Sequence, residues 1–288
     1  MYAWLVAQTE QRSPRVWLIT GASSGFGRAI ATAALDAGDI VVAAARRSPA
    51  LDDLVGAYPG QAHAIALDVT DMDATRVIDE IIARHDRIDV LVNNAGRTQV
   101  GALEETTEQE LRYLFELHFF GPAALTRAVL PHMRRQGGGA VVQMSSVGGQ
   151  ITAPGFGAYC ATKFALEGLT QTLSQEVDFA VRFLIVEPGA FRTGLFAAGS
   201  AYLSAAMPEY AATVGPTRQY VTGGDGTQPG DPAKAAAAIL TALAADHPPL
   251  RLPLGSDAVD GIRAHLAAVR DEIAVWEPLS RATSFDPE

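Results

Sequence analysis

Cysteine is almost missing: Cys160 is the one thiol in 288 residues, so no disulfide can form within the chain. No histidine-plus-base pattern surrounds it, and it reads as a small buried filler. No run of about eighteen apolar residues occurs, which leaves nothing long enough to span a bilayer. The stretch around Trp4-Leu5-Val6-Ala7 is too short for a secretory signal and lacks a basic start. Residues 1–13 are therefore expected to be a loose extension, with the cytoplasm as default location. The six histidines (His63, His85, His118, His132, His247, His265) show no metal-ligand spacing, so no metal is expected. An excess of basic residues is missing too. The net charge of −10 argues against nucleic acid and anionic membrane surfaces as partners. Internal repeats are absent. The nearest thing to a biased tract is the Gly/Thr/Asp-rich patch at 221–231, expected to be mobile.

What the chain does have is apolar residues, 48% of the total, enough for a sizeable buried core. They fall into short β-rich runs alternating with helical patterns. Strands are expected at Arg15–Thr20, Ile40–Ala45, Ala62–Leu67, Ile88–Val92, Ala140–Met144 (bounded by Gly139 and Ser145) and Val181–Val186. Helices are expected at Arg28–Ala37, Pro49–Ala57, from an Asp71 cap to His85, and from the Tyr159 region to about Phe179. A long helix over Thr107–Arg135 should kink or break at Gly121-Pro122. This alternation calls for an α/β fold, a doubly wound parallel Rossmann-like sheet, as a single domain over residues 14–256. Right-handed crossovers bring the strand carboxyl ends to one edge, where the ligand crevice of such sheets lies.

Motifs sit at that edge. The first strand runs into Gly21-Ala22-Ser23-Ser24-Gly25-Phe26-Gly27 and then a helix. Glycine there permits a tight turn, lets a phosphate approach the backbone and lets helix and strand pack, with free N–H groups facing a pyrophosphate. The second strand ends at Ala45, where NAD-binding sheets place a carboxylate, and Arg46-Arg47 follow. Guanidinium suits a 2′-phosphate, so NADP(H) is expected over NAD(H). Tyr159 and Lys163 lie four residues apart and share a helix face. An ammonium beside a phenol should lower the phenol's pKa and suit it to proton transfer at an alcohol or carbonyl. Ser146 could hold the same oxygen.

Together these residues resemble the short-chain dehydrogenase/reductase family. The matching pieces are Thr20-Gly21-x-x-x-Gly25-x-Gly27, Asp68-Val69, Asn93-Asn94-Ala95-Gly96, Ser146, Tyr159-x-x-x-Lys163 and Pro188-Gly189, from about Val16 to Thr193. The resemblance implies Tyr159 as general acid in carbonyl reduction and Ser146 as the orienting hydroxyl. Lys163 would tune Tyr159, and both would touch the nicotinamide ribose. Asp68 and Val69 would face adenine, Asn94, Ala95 and Gly96 would shape the cofactor floor, and Pro188, Gly189 and Thr193 would meet the nicotinamide side. It also suggests a homodimer or homotetramer. His118 departs from the family, which commonly has asparagine there with a main-chain role. Histidine could titrate near neutral pH and join a relay, or merely fill the slot. Some NADP-preferring members carry a basic residue where Ser24 stands, which leaves the 2′-phosphate to Arg46 and Arg47.

Beyond Thr193, residues 194–230 are expected to form a lid over a bulky hydrophobic carbonyl or alcohol, or to pack on the body. Pro232–Ala245 reads as a helix and Arg251–Leu254 as an edge strand. A helix over Asp257–Trp276 carries Val259, Ile262, Leu266, Val269, Ile273 and Trp276 at helical spacing and is expected to be core rather than subunit contact; residues 257–288 would pack on the same domain. Two other readings stay open: a cofactor-binding sensor or scaffold without turnover, and an epimerase or dehydratase using the same cofactor.

Overall fold

The first strand shows how the sheet is built. In the computed structural model, β1 (Val16–Thr20) is buried throughout. Trp17 and Ile19 enter one apolar cluster, Val16 and Leu18 another on the opposite face. A continuous apolar strand is what a sheet covered on both faces requires. The structure describes residues 13–285 except residue 198, so the expected N-terminal extension lies, but for its last residue, outside the described residues.

The chain continues through α1 (Gly25–Asp36), β2 (Ile40–Ala45), α2 (Asp52–Ala57), β3 (Ala62–Ala66), α3 (Ala74–His85), β4 (Val90–Asn93) and the short β5 (Gln99–Val100). Then come α4 (Glu108–Phe115), α5 (Gly121–Gln136), β6 (Gly139–Met144), α6 (Gly157–Glu176), β7 (Val181–Pro188), the short β8 (Tyr202–Leu203), α7 (Gly215–Gly223), α8 (Pro232–Ala244), β9 (Arg251–Leu254) and α9 (Ser256–Arg281). Seven strands form one parallel sheet in the order β3-β2-β1-β4-β6-β7-β9, while β5 and β8 pair separately. This is a Rossmann-like sheet in a single domain. Ile30, Ala34 and Leu35 of α1 and Ala236, Ile239 and Leu243 of α8 cover one face. Val77, Ile78 and Ile81 of α3 and Leu125, Val129 and Met133 of α5 cover the other. The chain winds outward in both directions from the β1–β4 neighbours, which places the switch-point crevice at their carboxyl ends.

Several boundaries differ from expectation for local reasons. Helix α1 begins at Gly25 rather than Arg28, so the glycines form its first turn. Asp73, not Asp71, caps α3, its carboxylate accepting the Arg76 amide. The long 107–135 helix divides before Gly121-Pro122. A capping box of Thr107 and Glu110 starts α4, and a π-turn at Glu116–Phe120 leads into α5 with the Gly121 amide on the Glu116 carbonyl. Pro122 has no N–H for an α-type bond to His118, and the ladder widens just ahead of it.

The region 194–230 is more built than expected. The patch thought mobile contains the end of α7 and the fully buried Val221, and Gln228 is buried as well. Val214 and Val221 pack with Val100 and Ala102, with Phe156, Phe196 and Tyr210 against them. Helix α9 departs in the other direction. Ala258 and Ile262 are buried, but Leu266, Ile273, Trp276 and Leu279 are all more than half exposed. The expected core helix is core only over its first two turns. Among the described residues, no helix is long and apolar enough to cross a membrane, and no group of three His, Cys, Asp or Glu is placed to hold a metal ion.

Candidate active site

An open crevice of about 530 Å³ runs along the carboxyl edge of the sheet. Its wall takes in most residues of the motifs named above; Thr20, Ala22, Gly27 and Asn93 lie outside it. Gly27 lies just behind, where a Cβ would come within 2.3 Å of the Gly21 carbonyl oxygen, so only glycine lets α1 sit this close to β1. Gly25 has φ +55°, and a Cβ there would meet the Thr193 carbonyl oxygen at 2.9 Å. Ser24 is the N-cap of α1 but makes no side-chain capping bond, and the first turn carries no acidic residue. The amides at this helix start are therefore left for an anion.

Arg46 and Arg47 follow β2 at the far end of the crevice, both exposed. Among the described residues neither makes an ion pair, whereas nearby Arg28 is taken by Asp53 at 2.7 Å. Asp68 also lines the wall, one carboxylate oxygen engaged by the Thr70 amide and hydroxyl. Val69 is buried in the core beside it. Asn94 turns its side chain inward: Nδ2 donates to the Thr20 carbonyl at 2.8 Å and to the Gly21 carbonyl at 3.2 Å. It braces the glycine turn against β4, while Ala95 and Gly96 expose the floor. Pro188 ends β7. Gly189 packs so tightly on the Asp257 carboxylate that a Cβ would lie within 2.2 Å of it, and that carboxylate accepts the Ala190 amide at 2.7 Å.

Tyr159 and Lys163 share a face of α6, and Ser146 stands opposite at the N-terminus of a short 3-10 turn. The Tyr159 ring is half-buried, with the rings of His118 and Phe156 at 5.6 and 6.1 Å. Ser146 Oγ accepts the Gly148 amide at 3.0 Å, which orients the oxygen and leaves its own proton to give. Lys163 is buried. Its Nζ donates to the Met144 carbonyl at 2.8 Å and lies 5.8 Å from the Tyr159 ring centroid. The expected net lowering of the phenol's pKa does not result, because burial dominates at the ring. Burial pushes Tyr159 up to about 12, opposed by a hydrogen bond with Ser146. Burial pushes Lys163 down to about 8, opposed by Glu167. The correction concerns charge, not placement: at neutral pH the phenol holds its proton.

His118 is almost fully buried, and both ring nitrogens are engaged. The Arg97 amide donates to Nε2 at 3.2 Å. Nδ1 meets Thr162 Oγ1 at 2.9 Å, and Thr162 gives its own proton to the Tyr159 carbonyl at 2.7 Å, so Nδ1 carries the hydrogen. Burial, then Lys163 and Arg97, hold the imidazole well below its usual pKa. Titration near neutral pH, one of the two roles considered for His118, is not what this environment supports. The ring is a neutral brace tying Arg97 to α6.

Glu167 was not singled out in the sequence, although it lies four residues beyond Lys163, one further turn along the same helix. It is buried and accepts the Ser145 hydroxyl, the Gln150 amide and the Arg251 guanidinium. Arg97, Tyr113, Leu117 and Gln228 also line the crevice without a motif to announce them.

Comparison with known proteins agrees with this geometry. Residues 15–201 match the short chain dehydrogenase family. The oxidoreductase BOA17 of Botryotinia fuckeliana is 37% identical over 277 residues, 94% of this chain and 99% of the relative. A crystal structure of a short-chain dehydrogenase from Streptomyces avermitilis is 62% identical with a TM-score of 0.90, covering 95% of this chain and 99% of that one. An alcohol dehydrogenase from Thermococcus sibiricus, complexed with 5-hydroxy-NADP, is 27% identical with a TM-score of 0.68, covering 83% of this chain and 95% of that one.

Proposed function

This chain belongs to the short-chain dehydrogenase family and is an oxidoreductase of that family; from that premise we propose that it interconverts a carbonyl and an alcohol on a small, largely hydrophobic molecule, with NADP(H) preferred over NAD(H). The observation that carries this reading is that Tyr159, Ser146 and Lys163 line the same crevice as the glycine turn and the two arginines.

The residues present suit such a cofactor. The uncapped amides of α1 suit a pyrophosphate, and Arg46 and Arg47, with no ion-pair partner among the described residues, suit a 2′-phosphate. When bound, NADPH would supply the hydride. The chain's own groups handle the oxygen. Ser146 donates a hydrogen bond to the carbonyl and polarises it. Tyr159, protonated at neutral pH, gives its proton to the same oxygen. The buried Lys163 ammonium favours the phenolate that remains. Leu117, Leu195 and Phe196 give the crevice its apolar wall.

Cofactor choice is tested by Arg46→Ala, alone and combined with Arg47→Ala. The affinity for NADPH should fall about ten- to a hundredfold, the range of a charge-assisted contact, with little change for NADH. Equal weakening of both cofactors would refute the phosphate role. Lys163 gives a second test. Because burial holds it near 8, its positive charge is lost as pH rises through that value. The rate of NADPH-driven reduction should be level below and fall above; a flat profile between about pH 7 and 10 would contradict the electrostatic role.

The exposed stripe of Leu266, Ile273, Trp276 and Leu279 supports a homodimer or homotetramer in which α9 is a subunit contact. The double variant Ile273→Asp, Trp276→Asp should then shift the mass measured by light scattering toward the monomer, and an unshifted oligomer would place the contact elsewhere. A cytoplasmic location fits the single free thiol and is tested by fractionation.

A further inference from the structure

Arg97 directly follows the Asn94-Ala95-Gly96 floor, and among the described residues it is the one arginine on the crevice wall besides Arg46 and Arg47. Its main chain is pinned beside the catalytic residues, since its amide donates to His118, whose ring stands edge-on to Tyr159 at 5.6 Å. Its side chain is held differently. The guanidinium carbon lies 4.4 Å from the ring centroid of Tyr202 and 5.6 Å from that of Tyr113. Tyr202 is in turn fixed by its hydroxyl on Glu110 at 2.6 Å.

Aromatic rings satisfy the flat face of a guanidinium but not the N–H groups in its plane. Nε of Arg97 is sealed from solvent and has no hydrogen-bond acceptor among the described residues. Other arginines close to the body are paired: Arg218 with Glu105 at 2.7 Å, Arg28 with Asp53 at 2.7 Å and Arg251 with Glu187 at 2.7 Å. Glu110, the carboxylate nearest in this chain of contacts, spends its oxygens on Tyr202, Ser204 and Thr107. A guanidinium on the wall of a ligand crevice, with no carboxylate partner among the described residues, is a place for an anion from outside.

We propose that Arg97 is a subsite for a carboxylate carried by the substrate, so that the preferred substrates are carbonyl compounds, or their alcohols, bearing one carboxylate on an apolar body. With Nε closed off, the guanidinium meets a ligand through its two terminal nitrogens, whose spacing matches the two oxygens of a carboxylate. One guanidinium, with Arg46 and Arg47 at the other end of the crevice, balances a single negative charge rather than the two of a phosphate. The proposal rests on the reading of the crevice as a carbonyl-reducing site and narrows its substrate class.

The test is binding, which needs no turnover. With the protein saturated with NADP, calorimetry compares 4-phenylbutanoate with 4-phenylbutanamide, probes of the same shape that differ in charge. Wild type should bind the acid about ten- to a hundredfold more tightly. Arg97→Met should bring the two within about twofold, and Arg97→Lys should keep part of the preference. NADPH affinity should be unchanged in both variants. Equal affinity of acid and amide for wild type, including no binding of either, overturns the proposal. So does an Arg97→Met variant that loses both probes alike, which would make Arg97 only a clamp on Tyr202, or one that loses NADPH instead. A preference for the acid in a protein that reduces no carbonyl would keep the subsite and remove the reductase reading; turnover without that preference would do the reverse.

Discussion

Replacing Tyr159 by phenylalanine is expected to lower the turnover number for NADPH-driven ketone reduction by about a hundred- to ten-thousandfold, the contribution of a positioned general acid. The ring that packs between His118 and Phe156 is kept, so the thermal midpoint should stay within a few degrees. NADPH affinity should change by no more than a few fold, because the glycine turn and Arg46 lie elsewhere along the crevice. The size of the loss follows from the state of the phenol. With its pKa pushed up to about 12, Tyr159 would, on the proposed reading, enter the reaction as an acid with its proton in place. Stopped-flow fluorescence for NADPH binding, alongside steady-state turnover, separates the two effects. Unchanged turnover would end the assignment of Tyr159. Loss of cofactor binding in parallel would mean the variant had disturbed the crevice rather than the chemistry.

The second large effect concerns stability. Arg251 comes from β9 at the sheet edge, and its guanidinium bridges Glu187 of β7 and Glu167 of α6, with Gln171 at 3.0 Å on its other arm. Both carboxylates are almost fully buried, at 2% exposure for Glu167 and 1% for Glu187. Arg251→Met keeps most of the stem and leaves two buried carboxyls facing each other. The expected cost is about 3 to 5 kcal/mol, a large part of the roughly 5–15 kcal/mol that holds a domain together. The thermal midpoint should drop by about 10 °C. The pH dependence carries a sign. Burial raises Glu187 to about 7, helped by Glu167 and opposed by Arg251. Its folded pKa lies above the unfolded one, so its stabilising share is full below about 4.5 and lost as pH rises through about 7. Without Arg251 that trend steepens, and the variant should be worse off at pH 8 than at pH 6. Equal loss at both values would mean that the carboxyls are not coupled as described.

The same cluster shows where sequence reading stops. Glu167 accepts the hydroxyl of Ser145, the neighbour of Ser146, and also opposes the drop in Lys163's pKa. Its spacing from Lys163 was visible, but its partners are Ser145 just beyond β6, Gln150 ahead of α6 and Arg251 on β9, and no local pattern brings those together. Arg97 is similar. Its place after Gly96 is plain in the chain, while the tyrosines that flank it come from α4 and β8. Helix α9 failed in the opposite way: its apolar period is real, yet beyond Ile262 nothing among the described residues covers it, because periodicity tells which face is apolar and not what meets it.

Taken alone, the amino-acid order determined the alternation of strands and helices, the glycine turn opening α1, the arginines closing β2, and the one-turn separation of Tyr159 from Lys163. These depend on backbone geometry over a few residues. Only the folded molecule decided the charge states: a phenol that keeps its proton, a lysine whose proton is loosely held, an imidazole kept neutral between Arg97 and Thr162. Desolvation is summed over every atom surrounding a group, and those atoms are contributed by segments far apart in the chain.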